Sequence, residues 1–194
     1  MRVCVFGGAS PTIGTDLMDF GRRTGRVFAA HGLGVVFGGG SRGMMGAVAD
    51  GALATGGEVI GVIPRFLFDR EPPHPGVTDM RVVGSMHERK QIMYALAHGF
   101  VAVAGGFGTM EEVMEVLTWR QLSLHQKPII FLDAAGRWKP LEQLFDRMVQ
   151  DRFLTAANRT IVRFASQPEQ ALELLREAGE AAEAPVDAGL AQLS

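Results

Sequence analysis

The sequence predicts an α/β fold: a single doubly wound (Rossmann-like), mostly parallel sheet with helices on both faces. Three observations predict it. The strand candidates are short, continuous apolar runs, as expected of strands buried on both faces. They alternate with helical periodicity along the chain, the pattern of successive βα units. Finally, the polar and glycine-rich segments fall where strands run into helices, the rim at which such sheets bind ligands. A chain of 194 residues, 47% of them hydrophobic, supports one full core. One domain is expected over residues 1–184, with a frayed tail over 185–194.

In order, the first strand is Met1 to Phe6, ending in Gly7-Gly8-Ala9-Ser10. A helix from about Asp16 to His31 carries Leu17, Phe20, Thr24, Val27 and Phe28 on one face, and Gly32 is its stop. Leu33 to Phe37 is the second strand and Gly38 to Gly43 the second glycine turn, leading a helix to about Thr55. Glu58 to Ile63 is the third strand, closed by Pro64. With Pro72, Pro73 and Pro75, the segment from Arg65 to Thr78 reads as a loop. Met80 to Val83 is a short strand before a helix from Met86 to about His98. Phe100 to Ala104 is the fifth strand, and its helix runs to about Leu122. Pro128 to Leu132 and Thr160 to Phe164 are the last strands, with helices at Pro140 to Arg152 and from Pro168 to about Ala182.

Composition excludes several classes. A net charge of −2 gives no reason to expect nucleic-acid or membrane partners. The apolar runs are too short to cross a bilayer, so a cytoplasmic protein is expected. The single cysteine, Cys4, permits no internal disulfide and reads as a buried core residue. His87 and His98 lack metal-ligand spacing, so no metal and no cofactor is expected.

The most informative stretch is Ala104 to Glu112, Ala-Gly-Gly-Phe-Gly-Thr-Met-Glu-Glu. A buried strand, a tight glycine turn and a fresh helix N-terminus make an anion site. The glycines admit a ligand close to the backbone, and the unpaired N–H groups of the first turn point at it. Glu112 has two readings. Thr109-Met110-Glu111-Glu112 fits a capping box, yet a plain cap does not need the preceding glycines. Arg89 also has two readings. It stands with Met93 and Leu96 on the apolar stripe of its helix and near that helix's N-terminus, where a cation is disfavoured. Either an anion at the rim draws it in, or its stem covers the core while its head reaches water. Lys90 points elsewhere, toward a ligand or toward solvent. Gly38 to Gly43 matches a dinucleotide fingerprint only formally, because Pro64-Arg65 stands where a ribose-binding acid belongs.

Phe37 to Gly46 (FGGGSRGMMG), Ser85 to Lys90 (SMHERK) and Gly105 to Glu112 (GGFGTMEE) resemble the LOG family of cytokinin riboside 5′-monophosphate phosphoribohydrolases, long labelled possible lysine decarboxylases. Thr118 to Leu122 and His125 to Pro128 match as well, so the resemblance spans the chain to about Phe164. Three features depart from the family pattern: Ala104 for a proline, the loop Gly7-Gly8-Ala9-Ser10 for Cys-Gly-Ser-Ser, and Phe37 for a tyrosine. The resemblance implies hydrolysis of the N-glycosidic bond of a nucleoside 5′-monophosphate, a cytokinin nucleotide or AMP, by a homodimer with its site near the interface. It places Arg89 and Glu112 as the catalytic pair. Gly105, Gly106, Phe107, Gly108 and Thr109 would hold the phosphate with help from Lys90, and Glu71 falls where the family has a substrate-contacting glutamate. Ser10, Gly39 and Gly40, on the neighbouring rim turns, complete the expected binding set. The alternatives are a non-catalytic nucleotide-sensing module and a nicotinamide-dependent oxidoreductase. A decarboxylase would need a Schiff-base lysine, and the only lysines are Lys90, Lys127 and Lys139.

Overall fold

The computed structural model of the chain describes residues 1–70 and 72–183. Within them the strands are β1 (Arg2–Phe6), β2 (Gly34–Phe37), β3 (Val59–Pro64), β4 (Asp79–Val83), β5 (Gly99–Ala102), β6 (Ile129–Leu132) and β7 (Val162–Ala165). They form one sheet in the order β4-β3-β2-β1-β5-β6-β7. Each pairing is parallel, where the sequence predicted a mostly parallel sheet. β2, β3, β5 and β6 are buried at every residue, which is why their sequences are unbroken apolar runs.

The main helices are α1 (Thr15–Ala30), α2 (Gly43–Leu53), α4 (Met86–Leu96), α5 (Phe107–Gln121), α6 (Lys139–Gln150) and α8 (Pro168–Glu183), with short α3 (Arg65–Phe68) and α7 (Ala156–Arg159). Alternate strand residues feed two cores. Val3, Val5, Val35, Phe37, Val101 and Val103 pack with Phe28 of α1, Met44 and Val48 of α2 and Leu175 of α8. Cys4, Phe6, Val36, Ile60, Val62 and Phe100 pack on the other face with Met93 of α4, Val113 and Val116 of α5 and Phe145 of α6. The helices therefore cover both faces, as the apolar runs require.

The sheet order reverses between β1 and β5, so the turns that follow these two strands lie side by side. That switch point is where a doubly wound sheet opens a crevice. The Gly8 N–H donates to the Ala104 carbonyl at 3.0 Å, tying the two turns together.

Two sequence expectations are corrected. The stretch after Pro64 is not all loop: Arg65 to Phe68 makes one helical turn, because only the residues beyond it hold the prolines. Residues 156–159 also form a turn of helix that the pattern did not announce, capped by Thr155, whose hydroxyl accepts from the Asn158 N–H. No helix among the described residues is long and apolar enough to cross a membrane. The tail over 185–194 lies outside the described residues.

Candidate active site

Five segments meet at the switch point. Gly7, Gly8, Ala9 and Ser10 after β1, Met45 of α2, Leu67 of α3, Arg89 of α4, and Gly106, Gly108, Thr109 and Glu112 of the β5–α5 junction line one cleft of about 350 Å³. The walls approach closely because glycines line them. A Cβ on Gly105 would lie 2.9 Å from the Gly8 nitrogen, and one on Gly43, whose φ is +64°, would lie 2.5 Å from the Gly8 carbonyl oxygen. Larger residues there would push the turns apart.

α5 begins at Phe107 with Gly106 as its N-cap, and Gly106 supplies no side-chain cap. Thr109 is therefore inside the helix, and the capping box expected from Thr109 to Glu112 does not form. The first turn of α5 holds no acid: a helix starting at Thr109 would have put Glu111 and Glu112 there, but with the start at Phe107 both lie beyond it. Gly106, Gly108 and Thr109 at this N-terminus line the cleft, and a helix start leaves its leading N–H groups without intrahelical partners, an arrangement suited to an anion.

Glu112 lies one turn further in and is 6% exposed; Arg89 is also 6% exposed. Arg89 Nη1 stands 3.0 Å from Glu112 Oε1. The pair faces by charge without hydrogen-bond geometry, so Oε1 is buried with no hydrogen-bond donor. Burial pushes the Glu112 carboxyl above its ordinary range; Arg89 pulls it back only in part, while Glu111 pushes it further up. A carboxylate so placed holds unused acceptor capacity at the cleft wall. Arg89 Nε donates to the Val62 carbonyl at 3.1 Å, which fixes the guanidinium against the end of β3.

α4 is started by Ser85, whose hydroxyl accepts from the Glu88 N–H at 3.1 Å, while Glu88 accepts from the Gly84 N–H. The Ser85-Met-His-Glu88 spacing carried that signal in the sequence. It sets the turn that presents Arg89.

Other expected residues stand elsewhere. Lys90 bonds Glu111, and also Glu115 at 3.0 Å, so it ties α4 to α5 and lies outside the cleft lining. Burial opposes its charge, yet the two carboxylates hold the ammonium above its ordinary value. Phe107 is 97% exposed. Gly39 and Gly40 serve the second turn: the His74 N–H donates to the Gly39 carbonyl, Gly40 bridges Pro73, and the Ser41 hydroxyl donates to the Pro72 carbonyl. His74 Nε2 in turn lies 3.1 Å from Asp50 Oδ1. The proline segment is thus stitched to the rim. Glu71 itself lies outside the described residues. Sequence reasoning missed Leu67, because its segment read as loop, and gave Met45 no place in the site.

With this geometry in view, the chain can be set beside known proteins. The family model described as possible lysine decarboxylase matches residues 45–175. A probable cytokinin riboside 5′-monophosphate phosphoribohydrolase of Oryza sativa subsp. japonica, LOGL2, is 38% identical over 91% of this chain and 72% of its own length. The cytokinin riboside 5′-monophosphate phosphoribohydrolase of Rhodococcoides fascians is 40% identical over 90% of this chain and 88% of its own. The molybdenum cofactor carrier protein of Chlamydomonas reinhardtii shares the fold, with a TM-score of 0.71 at 23% identity over 92% of this chain and 98% of that one.

The lysines do not fit the decarboxylase description. A Schiff-base lysine needs a depressed pKa and access to substrate. Lys90 is raised and ion-paired; burial lowers Lys127, but its ammonium is held by the Tyr94 carbonyl and lies 3.9 Å from the Tyr94 ring centroid, away from the cleft. Lys139 pairs with Glu142 on the surface. None of the three lines the cleft.

Proposed function

We infer that this chain, which belongs to the cytokinin riboside 5′-monophosphate phosphoribohydrolase (LOG) family, hydrolyses the N-glycosidic bond of a nucleoside 5′-monophosphate. The observation that carries the site assignment is the buried Arg89–Glu112 pair at the wall of a cleft closed by the α5 N-terminus. The 5′-phosphate sits on the leading N–H groups of α5 beside Gly106, Gly108 and Thr109. Arg89 orients the ribose. As the C1′–N bond breaks, positive charge grows on the sugar, and the Glu112 carboxylate faces it and orients water. The water oxygen adds to C1′, its proton leaves with the base, and ribose 5-phosphate is released. Holding the remote phosphate supplies binding energy for the step.

Met45, Leu67 and Ala9 form the apolar part of the lining. They suit a purine base and its isopentenyl substituent, so both AMP and isopentenyladenosine monophosphate are expected to turn over. Base release and ribose 5-phosphate formation from the two nucleotides, measured side by side, test this. Equimolar products from both are expected; no release from either removes the assignment. The sensing and nicotinamide readings gain nothing from a cleft whose wall holds an acid and an arginine 3.0 Å apart.

The partner is a second copy of this chain. An apolar groove of about 250 Å³ between α5 and α6 is lined by Met110, Met114, Leu117, Met148 and the half-exposed Leu144. Such a face on a folded chain marks an interface. Light scattering is expected to give twice the chain mass, and Leu144→Asp to give one chain mass; a wild-type monomer rules the dimer out.

A further inference from the structure

Gly38 follows β2 directly, and its φ lies outside the left-handed region, so the backbone there does not call for glycine. Something else keeps the position bare. A Cβ built on Gly38 would lie 2.1 Å from Arg89 Nη2 and 3.2 Å from Arg89 Cζ, with Met45 Sδ at 3.1 Å on the other side. The space a side chain would fill is already taken by the tip of the guanidinium.

We propose that Gly38 is a positioning residue: its missing side chain is the seat in which the Arg89 guanidinium lies, and this seat sets the arginine's aim into the cleft. The inference rests on the substrate-binding role given to Arg89 above. The three nitrogens of that side chain have three different places. Nε is bound to the Val62 carbonyl, Nη1 faces Glu112, and Nη2 lies over Gly38 with no acceptor among the described residues. Nη2 is thus the nitrogen left for substrate. Val62 and Glu112 fix where the guanidinium is anchored, and the missing Gly38 side chain leaves the room that its Nη2 end occupies. Adding a methyl group displaces the far end of a flexible side chain rather than backbone, so the chain still folds, at a cost in stability from the disturbed buried pair, while the arginine loses its aim. A bidentate or stacked guanidinium does not tolerate such a tilt.

The test is a double-variant cycle between Gly38→Ala and Arg89→Lys, since lysine has no Nη2 to collide with. In the wild-type background Gly38→Ala is expected to lower kcat/KM for AMP about a hundredfold, the scale of a misplacement of about 1 Å. It should also weaken ribose 5-phosphate binding and lower the melting temperature. In the Arg89→Lys background the same substitution is expected to cost less than about twofold, because coupled sites lose their coupling when one partner is gone, and to leave the melting temperature unmoved. Equal costs in both backgrounds overturn the seat and leave Gly38 a residue of the turn alone. If Gly38→Ala does not fold, recovery of folding by Arg89→Lys supports the proposal and continued misfolding rejects it. Base release by the wild-type chain tests the reaction separately, and the melting-temperature coupling tests the seat even if no nucleotide is hydrolysed.

Discussion

Glu112→Gln is expected to leave the chain folded and able to bind nucleotide while lowering turnover about a hundred- to ten-thousandfold, the usual share of a positioned acid–base group. The amide has the carboxylate's shape but no charge to set against the ribosyl cation and no basicity toward water. Stability should move the other way. Because burial raises the Glu112 carboxyl, the fold favours its neutral form. The stabilisation that Glu112 gives is complete below its ordinary value of 4.5 and is lost as pH rises through the higher folded value. At neutral pH the ionised carboxylate is a net cost that glutamine lacks. The variant should therefore melt no lower than the parent at neutral pH, and any advantage should vanish in acid. Thermal melts across pH, together with stopped assays of base release, check both halves. A fully active Glu112→Gln variant would end the role assigned to this residue. For the parent chain, turnover should fall on the acid side with a midpoint above 4.5, since the working form is ionised.

Removing the arginine is the second large effect. Arg89→Ala should raise KM for nucleotide and lower kcat together, by about a hundred- to a thousandfold in kcat, the cost of losing one preorganised electrostatic partner. Two causes act in sequence. The guanidinium that orients the ribose is gone, and Glu112 loses the stronger of the two cations, Arg89 and Lys90, that hold its carboxyl down. Breaking a buried pair costs about 3–5 kcal/mol when the remaining charge stays. Here the carboxyl takes up a proton instead, so the fold is partly spared and activity is not. The acid limb of the kcat profile should consequently move to higher pH, with the rate loss greatest in acid. A pH series of initial rates reads this directly; a limb that stays put, with parental KM and kcat, means the pair is only structural.

The local pattern of residues was enough to determine the architecture and the rim. Unbroken apolar runs such as Val59 to Ile63 could only be strands buried on both faces, and strands so buried need helices above and below. The glycine turn before α5 announced an anion site; Arg89 stood out as a cation on an apolar stripe near a helix N-terminus, and Glu112 because a plain cap does not need the glycines before it. Periodicity reports burial along one element, however, and carries nothing about which elements become neighbours. That was decided by the strand order. β1 lies between β2 and β5, which brings the turns after β1, β2 and β5 together and lets α4 lean Arg89 across to Glu112. The same packing drew Lys90 onto Glu111 and Glu115, started α5 two residues before Thr109, and filled the space over Gly38 with a guanidinium. The ion pairs of Lys90 and the contact over Gly38 are distances between residues far apart in the chain, and such distances exist only once the sheet has closed its order.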